Sequence, residues 1–170
     1  MHRVKMLVML AGAAMMLAGA AQAQIAPKSN APIDIAADQS EAFTNECRVV
    51  WSGDVEALQA KTRLRASRLS VFSARKGDGC GATQKLVADG EVYYVTAERI
   101  VRADNAVYLS TGETITLTGN VVVVQGRNVA RADRVVIDLQ TGQSQMISTQ
   151  KGRASPRRVR GVFYPGAQAN

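Results

Sequence analysis

The chain has little of what active sites are usually made from. Its 170 residues include one histidine, two cysteines, four prolines and 5% aromatic residues. The histidine is His2, in a stretch that does not read as part of a fold. Arg3 and Lys5 precede an apolar run from Met6 to Ala20, and Ala21-Gln22-Ala23 supplies the small-x-small pattern of a signal-peptidase site. The run is short for a bilayer span, which weighs against an uncleaved anchor. No cysteine follows the cleavage motif, so lipoprotein processing is not expected. Residues 1–23 are expected to be a leader cleaved before Gln24. The mature chain would then hold no histidine. That excludes a Ser-His-Asp triad, a Cys-His dyad and any His-ligated metal, and two cysteines alone cannot build a structural zinc site.

Long hydrophobic runs are also missing after the leader, so no second spanning segment is expected. Yet 46% of the residues are hydrophobic, too many for a disordered chain. The length suits one domain. The formal net charge is +7, and removing Arg3 and Lys5 with the leader brings it to +5. That surplus equals the basic residues of the tail: Lys151, Arg153, Arg157, Arg158 and Arg160. Residues 24–150 are balanced. Such a tail suits phosphate, an anionic surface or an acidic partner, or it is simply a solvated terminus. Cys47 and Cys80 lie in a chain that reads as exported, where oxidation is the default. A disulfide between them would constrain the unfolded chain by roughly 3–4 kcal/mol.

What is present is strand and turn chemistry. Residues 24–31 are polar and read as a flexible lead-in. Ile33-Asp34-Ile35 alternates apolar and polar, as a half-exposed strand does. Cys47–Trp51 is β-prone. Arg63–Ala66 and Arg68–Val71 alternate again, which argues against a helix over 55–72. Gly77–Gly81 reads as a loop. Val92–Val95, Val121–Val124 and Val135–Ile137 are β-rich, and Thr114–Thr118 is the cleanest alternation in the chain. A Gly-acid/amide-Val step recurs at Gly53-Asp54-Val55, Gly90-Glu91-Val92 and Gly119-Asn120-Val121. An Ala-acid step recurs at Ala37-Asp38, Ala97-Glu98, Ala103-Asp104 and Ala132-Asp133. Glycine accepts positive φ and a short acid or amide bonds local backbone, so these steps mark repeated turns or kinks in an all-β domain of similar strand pairs.

These motifs in this order resemble the OstA-like (LptA) family of lipopolysaccharide-transport proteins. The resemblance rests on PIDIAAD at 32–38, Gly53-Asp54-Val55, Leu64-Arg65-Ala66, TITLTGNV at 114–121 and Ala130-Arg131-Ala132-Asp133, and it covers about residues 33–146. Two features depart from the pattern: the Cys47–Cys80 pair with its loop, and Ser67, where an acid would follow Ala66. The resemblance implies an OstA-like β-jelly roll over residues 32–150, a folded V of two sheets around an apolar groove, followed by the basic tail 151–170. It also implies a periplasmic, non-catalytic carrier of the lipid A part of lipopolysaccharide, with no cofactor. Partners would be OstA-like domains of the inner-membrane anchor and the outer-membrane translocon. Head-to-tail self-association through the strand near Ile33 and a strand within Val135–Ile147 is a further expectation.

Strand parity and the resemblance give groove candidates: Ile33, Ile35, Leu64, Val95, Tyr108, Ile115 and Leu117. Ordinary core packing is the plainer reading of each. Arg157, Arg158 and Arg160 are candidates for contact with a partner or phosphate. Gly77-x-Gly79-x-x-Ala82 imitates a dinucleotide fingerprint, but the residues after it read as strand rather than helix. A carboxylate-based enzyme and a nucleic-acid binder find no convergent residues. The competing reading is a periplasmic β-sandwich adaptor that binds protein or glycan and no lipid.

Overall fold

The computed structural model describes residues 24–27, 29–150, 152 and 158–165. These residues form ten strands: β1 (Asp34–Ala36), β2 (Gln39–Phe43), β3 (Arg48–Gln59), β4 (Thr62–Lys76), β5 (Gly79–Val95), β6 (Ile100–Leu109), β7 (Thr114–Gln125), β8 (Asn128–Asp138), β9 (Ser144–Ile147) and β10 (Arg160–Val162). A single 3-10 turn, Thr44–Glu46, is the sole helical element among the described residues. Every pairing is antiparallel. The order is β1-β3-β4-β5-β6-β7-β8-β10, with β2 also on β3 and β9 also on β8. The fold is the all-β architecture expected. The segment 77–81 is not a loop: β4 and β5 extend to a two-residue turn at Gly77-Asp78.

The repeated motifs are the corner of this sheet. Gly53, Gly90 and Gly119 have φ near +80°, and the residue after each is also left-handed. Between flanking pairs, each of these strands carries one residue more than its neighbours, which is a β-bulge. The Ala-acid steps face them. A Cβ on Gly53 would meet the Asp38 side chain, and one on Gly119 would meet Cβ of Asp104 at 2.7 Å. Ser67 plays the acid's part against Gly90, and its hydroxyl donates to the Gly90 carbonyl at 3.2 Å. Asp133 occupies the fourth position and accepts from the backbone N–H and hydroxyl of Thr149. Ala97-Glu98 does not join the set; it lies in the connection between β5 and β6.

Inward parity follows from the bulges. On β4, β6 and β8 the inward side changes parity, from Ala66 to Leu69, Ala103 to Ala106 and Ala132 to Val135, all buried. On the glycine strands the extra residue preserves parity: Leu86, Ala88, Val92 and Tyr94 on β5, and Ile115, Leu117, Val121 and Val123 on β7. Bulged strands bend, so the corner divides the sheet into two halves whose apolar sides form one core. Cys47 and Cys80 are joined. The bridge ties the outer end of the β4–β5 hairpin to the connection between β2 and β3, and the Arg75 guanidinium donates to the Asn45 carbonyl beside it.

Candidate functional site

Between the two halves lies an apolar interior. Leu64 and Tyr94 line it from one side of the corner, and Leu86, Ala106, Tyr108 and Ile115 from the other. The walls carry no charge. They nonetheless enclose a void of only ≈ 10 Å³, about the least that admits one water. The interior is nearly filled, and the N-terminal segment contributes to the filling. Ile25 is 1% exposed and Ala26 4%; Ile25 sits among those wall residues. The described residues of 24–31 are thus not a free lead-in. Their hydrophobic member is in the core.

Polar contacts hold them there. Gln59 Oε1 accepts from the backbone N–H of Ile25 at 2.6 Å and of Ala26 at 2.8 Å, while its Nε2 donates to the Ala31 carbonyl at 2.8 Å. The Tyr94 hydroxyl donates to the Ile25 carbonyl at 2.9 Å. Gln59 is 1% exposed; these three bonds explain how a primary amide is tolerated there. Burial pushes the Tyr94 phenol up to about 12, against the pull of the Arg99 charge. Burial also raises Tyr108, with the Gln24 backbone opposing and the Glu113 charge adding to the rise. The Tyr108 hydroxyl makes no well-formed hydrogen bond, although Gln24 lies close enough to favour its ionised form. Beyond the segment the cleft widens into a mouth of ≈ 690 Å³, rimmed by Pro27, Lys61, Thr96, Glu98, Arg99 and Thr141.

The candidate residues fall into three groups. Leu64, Tyr108 and Ile115 meet at the void, and Leu117 is fully buried in the same core. Ile33 and Ile35 are half-buried against its edge. Val95 faces the other way: the bulge at Gly90 keeps inward parity on Val92 and Tyr94, and Val95 pairs with Arg63 and the exposed Ile100 on the outer face. Three members of the site escaped the sequence reading: Ile25, Gln59 and Tyr94. Tyr94 and Gln59 were within reach of parity, since Gln59 continues the inward series Val55, Ala57. Ile25 carried no signal beyond being the one large apolar residue in the stretch 24–31.

The tail is partly seen. Arg157 lies outside the described residues. Arg158 and Arg160 are exposed and share a shallow hollow of ≈ 260 Å³ with Arg131 and Asp133 on the outer face. Arg160 stands directly opposite Arg131 across the β10–β8 ladder, a like-charge pairing that an anion would relieve. Within the expected edge at Val135–Ile147, β8 is covered, by β9 at Arg134–Ile137 and by β10 at Val129–Arg131, and β9 (Ser144–Ile147) is the strand left at the edge. Among the described residues there is no cluster of metal-ligating side chains and no helix long and apolar enough to cross a membrane.

Comparison with known proteins agrees with this architecture. A crystal structure of LptH, described as the LptA homologous periplasmic component of the lipopolysaccharide transport device of Pseudomonas aeruginosa, superposes with a TM-score of 0.66 at 22% identity, over 79% of this chain and 96% of that one. An uncharacterized protein of Rhizobium meliloti (strain 1021), R00383, is 26% identical over 144 residues, 81% of this chain and 77% of its own length. The family described as LptA/(LptD N-terminal domain) LPS transport protein matches residues 34–145. That span runs from the start of β1 into β9 and contains all three bulges, so the chain belongs to the LptA/LptD N-terminal family of lipopolysaccharide-transport proteins.

Proposed function

We propose that this chain is a non-catalytic periplasmic carrier that holds the acyl chains of lipid A between the two halves of its sheet and bridges inner-membrane and outer-membrane transport components. What carries the reading is the pair of facing, uncharged walls built by the family's own residues, from Leu64 to Leu117. Such walls can hold acyl chains without a specific bond, because each buried methylene contributes about 0.8 kcal/mol. The edge strands suit partners of the same fold: β1 and β2 at one end, β9 and β10 at the other. Any driving force comes from those partners. Residues 1–23 act as the export signal in this reading, and Arg158 and Arg160 meet an anionic group.

The test is depletion of the protein in cells, followed by the fate of newly made lipopolysaccharide. Accumulation at the inner membrane supports the carrier; unimpeded arrival at the cell surface ends it. The filled interior favours a second reading, an adaptor that binds protein or glycan and no lipid. Purified protein that pulls down the transport components but never takes up lipid A would establish that one instead.

A further inference from the structure

We infer that residues 24–31 are a removable plug, and that Gln59 and Tyr94 are a peptide-like recognition pair which exchanges this plug for the amide- or ester-linked root of an acyl chain. The inference rests on the carrier reading above and deepens it.

Four observations converge. First, the segment lies outside the span matched by the family, whereas the facing walls from Leu64 to Ile115 lie within it. Second, it puts one side chain into the cleft, that of Ile25, which lines the void together with wall residues of both halves. Third, its other holds are hydrogen bonds to backbone groups only: Gln59 to the N–H of Ile25 and Ala26 and to the Ala31 carbonyl, and Tyr94 to the Ile25 carbonyl. Amide- and ester-linked acyl chains offer the same carbonyl acceptors, and the amides offer the same N–H donors. An incoming acylated sugar can therefore satisfy Gln59 and Tyr94 as the plug leaves, so neither is stranded in the core. Fourth, the Tyr108 side chain is buried beside Ile25, and its hydroxyl has no well-formed hydrogen bond, with only the Gln24 backbone close by. The exchange favours lipid on area, since one acyl chain buries several times the methylenes of an isoleucine side chain. The mouth beside Lys61 and Arg99 gives the plug a way out along the path by which the lipid comes in.

The test follows the Ile25 and Ala26 amides by hydrogen exchange in the mature chain, with purified lipid A in dodecyl maltoside micelles and empty micelles as control. Both amides are expected to exchange slowly in the free protein and at least 100-fold faster at saturation with lipid A. A chain lacking residues 24–31 is expected to take up lipid A at least 10-fold more tightly. Ile25→Ser, which keeps every backbone bond to Gln59, covers the case in which that deletion does not fold, and is expected to tighten binding at least 3-fold. If lipid A binds while the two amides stay protected, the plug is refuted and the carrier stands. If neither the mature chain nor a folded variant binds lipid A, the carrier falls and the plug with it.

Discussion

The two ends of the described chain both return to the sheet, and they do so in opposite ways. The N-terminal segment goes inside: Ile25 and Ala26 are buried and their peptide groups are bonded to core side chains. The C-terminal strand β10 stays outside. Its three residues lie along the edge of β8, while Val162, Phe163 and Tyr164 are 60%, 70% and 45% exposed. The first end is held by apolar burial and a buried amide. The second is held by a short ladder and by peripheral contacts such as Arg127 stacked on Tyr164 at 4.4 Å. One closes an interior and the other shields an edge. A chain end can be well ordered for either reason, and only the first should register in global stability.

Substitutions can break or sharpen that contrast. The largest effect is expected from Gln59→Ala, which leaves two N–H groups and a carbonyl without partners. It should lower unfolding free energy by about 3 kcal/mol, measured by urea titration. Ile25→Ala should cost about 2 kcal/mol, at the low end for an Ile truncation, because a terminal segment can undock instead of leaving a cavity. Tyr94→Phe removes one hydrogen bond and should cost about 1 kcal/mol at neutral pH. Its clearer signature is alkaline. With Tyr94 at about 12 when folded and 10.0 when unfolded, the unfolded state releases its proton first. The stabilisation is full below about pH 10 and is lost as pH rises to about 12, a fall of about 3 kcal/mol. The phenylalanine variant should show a shallower decline there, with Tyr108 supplying what remains. Deleting residues 158–170 should change stability by no more than about 0.5 kcal/mol. It should instead promote self-association through the bared β8 edge, seen as a larger sedimentation coefficient.

Much of the fold was legible because strands announce themselves by a period of two, and Thr114–Thr118 became part of β7 as its alternation requires. The corner was half legible. Glycine steps and acid steps both stood out, but that Asp38 belongs with Gly53 and Asp104 with Gly119 is a pairing across separate strands, which no local pattern encodes. Val95 is a different case: the bulge at Gly90 preserves parity on β5, so counting by twos from Leu86 and Ala88 leads to Val92 and Tyr94 and leaves Val95 on the outer face. The site was legible only in its walls. Parity alone points Gln59 inward without saying what a buried amide would bond, and Ile25 is the one large apolar residue in the stretch 24–31. Their importance arises from meeting each other 34 positions apart.

The bent line of glycines and short polar side chains carries a consequence for growth by duplication. Each further pair of strands bearing the same step would extend the trough by about 10 Å, two inter-strand spacings, and leave its cross-section unchanged. Length and bore are thus independent variables in this architecture. Selection could tune how far such a conduit reaches without disturbing what fits inside it.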